Sequence, residues 1–226
     1  MRAGGGEART VGAQRLRSRR LVPPVVCVVT AAGLVPDRDH LAVGAAALAG
    51  GADMIQLRGP ELDALALRPL AERLAERCHA AGRLLIVNNA LDVACTAGAD
   101  GVHLGQSDHP ETARRRLGDT LLLGVSVATA GEAHAAAAAG ADYVAVTVWS
   151  TATKPDAQPV GLAGLAEVVT ASPLPTLAIG GITAGNCGDV LARGAAGIAV
   201  VSAVAGAADP VTATRELVAA ARAATT

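Results

Sequence analysis

The chain has 226 residues, of which 51% are hydrophobic and 17% charged, with a formal net charge of −1. That length buries a sizeable core in one barrel-sized domain or two small ones, and the near-zero charge offers no global field for nucleic acid or an anionic membrane. Aromatic residues make up 1%, with no Phe, so a base-stacking platform has almost nothing to be built from, and no apolar run approaches the ~20 residues that span a bilayer.

In chain order, residues 1–22 carry Gly4-Gly5-Gly6 and then Arg15, Arg17, Arg19 and Arg20. They read as a disordered leader ahead of a domain over 23–226. A repeated phrase organises that domain. Gly51-Ala52-Asp53 precedes Met54-Ile55, Gly98-Ala99-Asp100 precedes 101–104, Gly140-Ala141-Asp142 precedes 143–146, and Gly194-Ala195-Ala196 precedes 197–201. Most of these phrases follow an Ala-rich segment. Glycine suits the left-handed position that ends a helix, and the short apolar run after it suits a buried strand. Four more apolar runs, 25–30, 84–87, 121–126 and 176–179, bring the expected strands to eight. The clearest helices are expected at 69–81, 131–139, 161–171 and 210–223, with Pro69 and Pro210 in first helical positions. The strands are continuous apolar runs, as expected when both faces are covered. Eight βα units predict a single (βα)8 TIM barrel rather than an open doubly wound sheet, since no GxGxxG opens the first unit.

Ligands of such barrels sit at the C-terminal ends of the strands. Gln56 and Arg58 end the second strand, Asn88 and Asn89 the third, and Gln106 and Asp108 follow the fourth. Ser126 and Thr129 end the fifth, and Thr151, Thr153 and Lys154 lie on the loop after the sixth. Gly180-Gly181 and Ser202 follow the seventh and eighth, where backbone N–H groups can approach a phosphate or simply make tight turns. Arg58 and Lys154 together suit a second anion such as pyrophosphate. Asp108 suits either Mg²⁺ or the cap of a helix beginning His109-Pro110-Glu111. His103, inside an apolar strand, reads as a hydrogen-bonded core residue rather than a base. His40, His79, His109 and His134 show no metal-site spacing. Trp149 either walls the pocket or anchors its loop. Cys27, Cys78, Cys95 and Cys187 form no CxxC pair and read as buried, inert thiols of a reduced cytoplasmic protein without structural zinc.

The ordered set GGADMIQLR, LLIVNNALDVA, GADGVHLGQSD, GVSVAT, GADYVAV, STATKP, LAIGGIT and VSAV, spread over about residues 25–221, resembles the thiamine phosphate synthase and TenI-type thiazole tautomerase superfamily. The resemblance implies a transferase that joins a hydroxymethylpyrimidine pyrophosphate to a thiazole phosphate and releases pyrophosphate. It implies that Gln56, Arg58 and Asn88 contact the pyrimidine substrate, that Asp108 and Asn89 hold Mg²⁺, and that Ser126 faces the reacting centre. Thr151, Thr153 and Lys154 would bind phosphate groups, with Lys154 on the leaving pyrophosphate. Gly181, Val201 and Ser202 would hold the thiazole phosphate through backbone amides. Arg58, Ser126 and Lys154 are thus the expected catalytic residues.

Three positions depart from the synthase pattern: Pro60 stands for a lysine, Asn89 for a metal-binding aspartate and Ala128 for a histidine. The first two remove one charge of each sign from the pyrophosphate–Mg²⁺ region. The third removes the residue that TenI-type enzymes use for proton transfer. A tautomerase and a non-catalytic barrel binding a phosphorylated ligand therefore stand as alternatives. The expected partners are small phosphorylated molecules, not nucleic acid or membrane, and the residues leave homo-oligomerisation open.

Overall fold

The computed structural model describes residues 23–106, 108–153 and 157–225; the expected leader lies outside them. Eight parallel strands run β1 (Val25–Val29), β2 (Met54–Leu57), β3 (Leu84–Asn88), β4 (Gly101–Leu104), β5 (Leu122–Val127), β6 (Tyr143–Thr147), β7 (Thr176–Ile179) and β8 (Gly197–Val200). They close into a barrel in sequence order. An open sheet would leave β1 as an edge, whereas Val25 to Val28 pair with Gly197 to Val200. The expected TIM barrel is the observed fold.

Helices cover the outside: α1 (His40–Ala49), α2 (Ala64–Ala80), α3 (Leu91–Thr96), α4 (Pro110–Leu117), α5 (Ala130–Ala138), α6 (Gly161–Ala171) and α7 (Cys187–Leu191). A short α8 (Ser202–Ala205) follows β8, and α9 (Pro210–Ala223) completes the ring. Pro210 begins α9 as expected, with the Asp209 carboxylate accepting from the N–H groups of Val211 and Thr212. Pro69 does not begin α2. That helix starts five residues earlier, because Asp63 caps it by accepting from Ala66 N–H at 2.9 Å. Pro69 removes one helical hydrogen bond on the exposed side, while Leu67, Ala71, Leu74, Ala75 and Cys78 form the buried stripe.

The repeated phrase has a structural meaning beyond its glycine. Gly51, Gly98, Gly140 and Gly194 all adopt positive φ, from 71° to 94°, as the helix-ending position requires. Each aspartate then clamps the N-terminal rim. Asp53 accepts from Val26 N–H at 3.0 Å and pairs with Arg83. Asp100 accepts from Leu85 N–H at 2.9 Å and lies 3.0 Å from His79 Nε2. Asp142 accepts from Leu123 N–H at 2.8 Å and from Arg114 at 2.6 Å. A carboxylate thus ties each of three even-numbered strands to the strand before it. The phrase before β8 ends in Ala196 and has no such clamp.

Alternation along the strands separates two cores. Val26, Val28, Ile55, Leu85, Val102, Leu123, Val144 and Ile198 face the helices. Val25, Cys27, Val29, Met54, Leu84, Ile86, Leu122, Tyr143, Ala145, Leu177 and Ala199 fill the barrel. Both sides are apolar in the strand bodies, so the sequence runs look continuous. Followed upward by steps of two, the inward rows end on Gln56, Asn88, Ser126, Thr147 and Val201. Strand geometry therefore carries the polar strand ends to the C-terminal mouth.

Candidate active site

The mouth opens into a cavity with about 890 Å³ of empty space, part of it continuous with solvent. Gln56, Arg58, Asn88, Ser126, Thr151, Thr153, Gly181, Val201 and Ser202 all line it, so nine of the expected site residues meet at one place. Lys154 lies outside the described residues. Gln106 and Thr129 point elsewhere: Gln106 Nε2 donates to the Glu132 carboxylate at 2.8 Å, and Thr129 caps α5. Trp149 does not line the cavity. Its partly buried ring packs on the outer core, which settles it as the loop's anchor.

On one side, Asn88 Nδ2 donates to Gln56 Oε1 at 3.3 Å and to the His103 carbonyl at 3.4 Å. These bonds hold the two amides in a fixed orientation at the ends of β2 and β3. Arg58 stands just past β2, and no carboxylate among the described residues forms an ion pair with it, so its guanidinium is a charge available to an anion. Thr151 Oγ1 and Thr153 Oγ1 lie 3.0 Å apart on the loop after β6.

At the centre, His103 is buried and hydrogen-bonded, as its strand position predicts, but it also lines the cavity. Its Nε2 lies 3.0 Å from Ser126 Oγ and its Nδ1 3.2 Å from Tyr143 Oη. Burial above all, with Cys27 and Asp142 nearby, pushes the Tyr143 phenol well above its ordinary pKa, so it keeps its proton. In the tautomer in which the phenol donates to Nδ1, Nε2–H donates to Ser126. The serine hydroxyl is then free to donate into the cavity. Gly124 makes this possible. It lies between His103 and Tyr143 in the strand register, and a Cβ there would come within 2.1 Å of the tyrosine ring and 2.5 Å of His103 Nδ1. Sequence reasoning did not find Tyr143 or Cys27 in the cavity wall; the available signal was their inward parity, which only the register makes readable.

Asn89 and Asp108 do not line the cavity but converge beside it. Asn89 Oδ1 and Asp108 Oδ2 both accept from Gly105 N–H, at 3.1 and 2.7 Å. The helix-cap reading of Asp108 is incorrect: the residue before α4 is His109, which makes no side-chain cap bond, and Asp108 turns back onto its own loop. Asn89 sits at φ 57°, a left-handed conformation that Asn and Asp tolerate better than most residues. A short polar residue therefore has a backbone reason to be there. Two side-chain oxygens of different loops, carrying a single negative charge, thus converge on one amide.

The opposite side is built from backbone. Gly180 and Gly181 have φ of 93° and 66°. A Cβ on Gly180 would meet the Trp149 carbonyl at 2.6 Å, so only glycine lets the β6 and β7 loops approach this closely. Gly181 is held from below by Asn186 Nδ2, which donates to its carbonyl at 3.0 Å. Ser202 starts α8, where the first N–H groups of a helix lack intrahelical partners. Of the thiols, Cys27, Cys78 and Cys187 are buried as expected, but Cys95 on α3 is exposed.

Comparison with known proteins gives this mouth a context. A family model described as thiamine monophosphate synthase matches residues 26–204. A thiamine-phosphate synthase of Roseiflexus castenholzii is 48% identical over 196 residues, covering 85% of this chain and 86% of the relative. One from Methanoculleus marisnigri is 49% identical over 193 residues, covering 84% and 92%. A solved thiamine phosphate pyrophosphorylase from Pyrococcus furiosus superposes with a TM-score of 0.83 at 34% identity, covering 93% of this chain and all of the other. The chain belongs to the thiamine monophosphate synthase family.

Proposed function

We propose that the protein is a thiamine-phosphate synthase, a transferase acting on two small phosphorylated substrates, hydroxymethylpyrimidine pyrophosphate and a thiazole phosphate. The carrying observation is the divided mouth: an arginine with two tethered amides on the β2–β3 side, and a glycine-rich backbone rim with a helix start on the β7–β8 side. The first suits a pyrimidine ring bearing pyrophosphate. The second suits a single phosphate, in the barrel position where the loops after the seventh and eighth strands commonly bind one.

In the reaction, the bond between the pyrimidine methylene carbon and the pyrophosphate oxygen breaks, and a bond from that carbon to the thiazole nitrogen forms. Pyrophosphate departs with the electron pair, and the nitrogen lone pair quenches the pyrimidine cation. The protein has two tasks: to stabilise charge on the leaving group and to hold the nucleophile in line. Arg58, Thr151 and Thr153 face the leaving pyrophosphate, joined by Lys154. Gln56 and Asn88 fix the pyrimidine through paired amide hydrogen bonds. Ser126, its oxygen occupied by His103, offers its proton at the reacting centre. Gly181, Val201 and Ser202 hold the thiazole phosphate by main-chain N–H groups. Asp108 and Asn89 would hold Mg²⁺, which when bound offsets the charge of the pyrophosphate. Among the described residues no helix is long and apolar enough to cross a membrane, and the reading places the enzyme in the cytoplasm.

Incubating purified protein with both substrates and Mg²⁺ yields thiamine phosphate, read by mass spectrometry, and omitting Mg²⁺ lowers the rate. Absence of product beside a competent control enzyme would refute the reading.

A further inference from the structure

A second hydrogen-bonded chain lies behind Arg58, outside the cavity. Thr30, at the end of β1, is fully buried. Its backbone N–H donates to the Gln56 carbonyl at 2.8 Å, and its Oγ1 accepts from Arg58 N–H at 3.2 Å. The same Oγ1 lies 2.9 Å from Nδ1 of His40, the first residue of α1, itself 3% exposed. On its other edge, His40 Nε2 lies 3.0 Å from Glu61 Oε1 in the β2–α2 loop.

The proton inventory admits one neutral arrangement. A carboxylate only accepts, so Nε2 must carry a proton. Thr30 Oγ1 already accepts from Arg58 N–H and can give its own proton to Nδ1. The imidazole thus bridges two elements, with Glu61 and Thr30 saturating both nitrogens. Burial opposes charge on Glu61, but its backbone hydrogen bond, the bond from His40 and the positive charge of Arg58 hold the carboxyl below its usual pKa. The loop also runs close to the ring: a Cβ added at Gly59 would lie 3.4 Å from His40 Nε2. Arg58 is therefore flanked on both sides by atoms tied to one histidine, Thr30 before it and Glu61 after it.

We propose that His40 is a positioning residue for the anion-binding arginine: through Thr30 and Glu61 it fixes the backbone of the β2–α2 loop so that the Arg58 guanidinium is presented to the pyrophosphate group. His40 does not line the cavity and bonds to neither Gln56 nor Asn88. The proposal rests on the reading of the Arg58 side as the pyrophosphate subsite. A rigid anchor of this kind matters because an error of about 1 Å in a charge-bearing group can cost as much as 10²-fold in rate.

Calorimetric titration of the full chain with inorganic pyrophosphate and Mg²⁺ tests it. His40→Ala and Thr30→Val are expected to weaken pyrophosphate binding about tenfold, and to raise KM for the pyrimidine substrate with little change in KM for the thiazole phosphate. Thr30→Ser, which keeps the hydroxyl, restores binding to within about twofold, which separates lost positioning from lost packing. Introducing His40→Ala into Arg58→Ala adds no further loss, since the two act as one unit. If the parent binds pyrophosphate and Arg58→Ala loses it while His40→Ala and Thr30→Val do not, the positioning role is overturned and the subsite reading survives. Equal loss on both substrates, or additive losses in the double variant, also overturns it. If the parent itself does not bind pyrophosphate, the subsite reading falls and the inference with it.

Discussion

The N-terminal rim and the C-terminal mouth of this barrel use polar side chains in opposite ways. At the rim, Asp53, Asp100 and Asp142 each accept from a strand N–H and face a basic partner, Arg83, His79 or Arg114. Arg114 uses four of its five N–H donors, since it donates also to the carbonyls of Gly118, Leu121 and Gly140. At the mouth, Asn88 bonds to Gln56, the two threonines bond to each other and Ser126 bonds to His103, all with capacity left toward the cavity, and Arg58 faces it with no ion-paired carboxylate among the described residues. The same residue types thus stabilise the fold where their valences are filled, and suit a ligand where they are held in place but incompletely filled. Position along the strand, not residue type, decides which.

Substitutions that separate stability from activity test this contrast. Asp142→Ala should have the largest effect, since it takes the carboxylate partner from a part-buried guanidinium and leaves the buried Leu123 N–H without its acceptor; unfolding in urea should show a loss of about 3–5 kcal/mol, with activity per folded molecule little changed. Arg58→Ala should do the reverse, lowering kcat/KM by about 10²–10³ in the two-substrate assay while shifting stability by no more than about 0.5 kcal/mol. A large stability loss in the second variant would break the comparison. Gly124→Ala joins the two regions, because the added methyl meets Tyr143 and through it disturbs His103 and Ser126. It should cost about 1–3 kcal/mol and also lower kcat, a coupling that neither rim nor mouth variants alone would show. The smallest effect concerns thiols. Burial, with Asp53 near Cys27 and Asp100 near Cys78, pushes both pKa values up to about 12 from 9.0. Because the folded values lie above the unfolded ones, the contribution to stability is complete below about pH 9 and is lost as pH rises toward 12. At neutral pH Cys95 should react first with iodoacetamide, and protection of Cys27 and Cys78 should disappear only on unfolding, as peptide mass mapping would show.

Much of the barrel was legible because its signals are local. A glycine after an Ala-rich run followed by an apolar run reports a helix end and a strand start through backbone conformation and burial alone. The start of α2 was misread because two first-turn signals, Asp63 and Pro69, compete within six residues, and the side-chain cap prevailed over the proline. At the site, strand-end position sufficed to find Gln56, Arg58, Asn88 and Ser126. Asp108 was ambiguous because an oxygen beside a helix start suits a cap or a cation equally well, and only the loop's path, which returns the carboxylate to Gly105, sets the cap aside.

The sequence by itself determined the eight βα units, the end of the barrel at which ligands gather, and the family, since these rest on ordered local patterns. Tertiary structure alone decided which polar groups share a bond. Tyr143, His103 and Ser126 come from three strands, and Thr30, His40 and Glu61 from three further segments. Strand parity and barrel register bring such residues together, and neither is encoded at any single position in the chain.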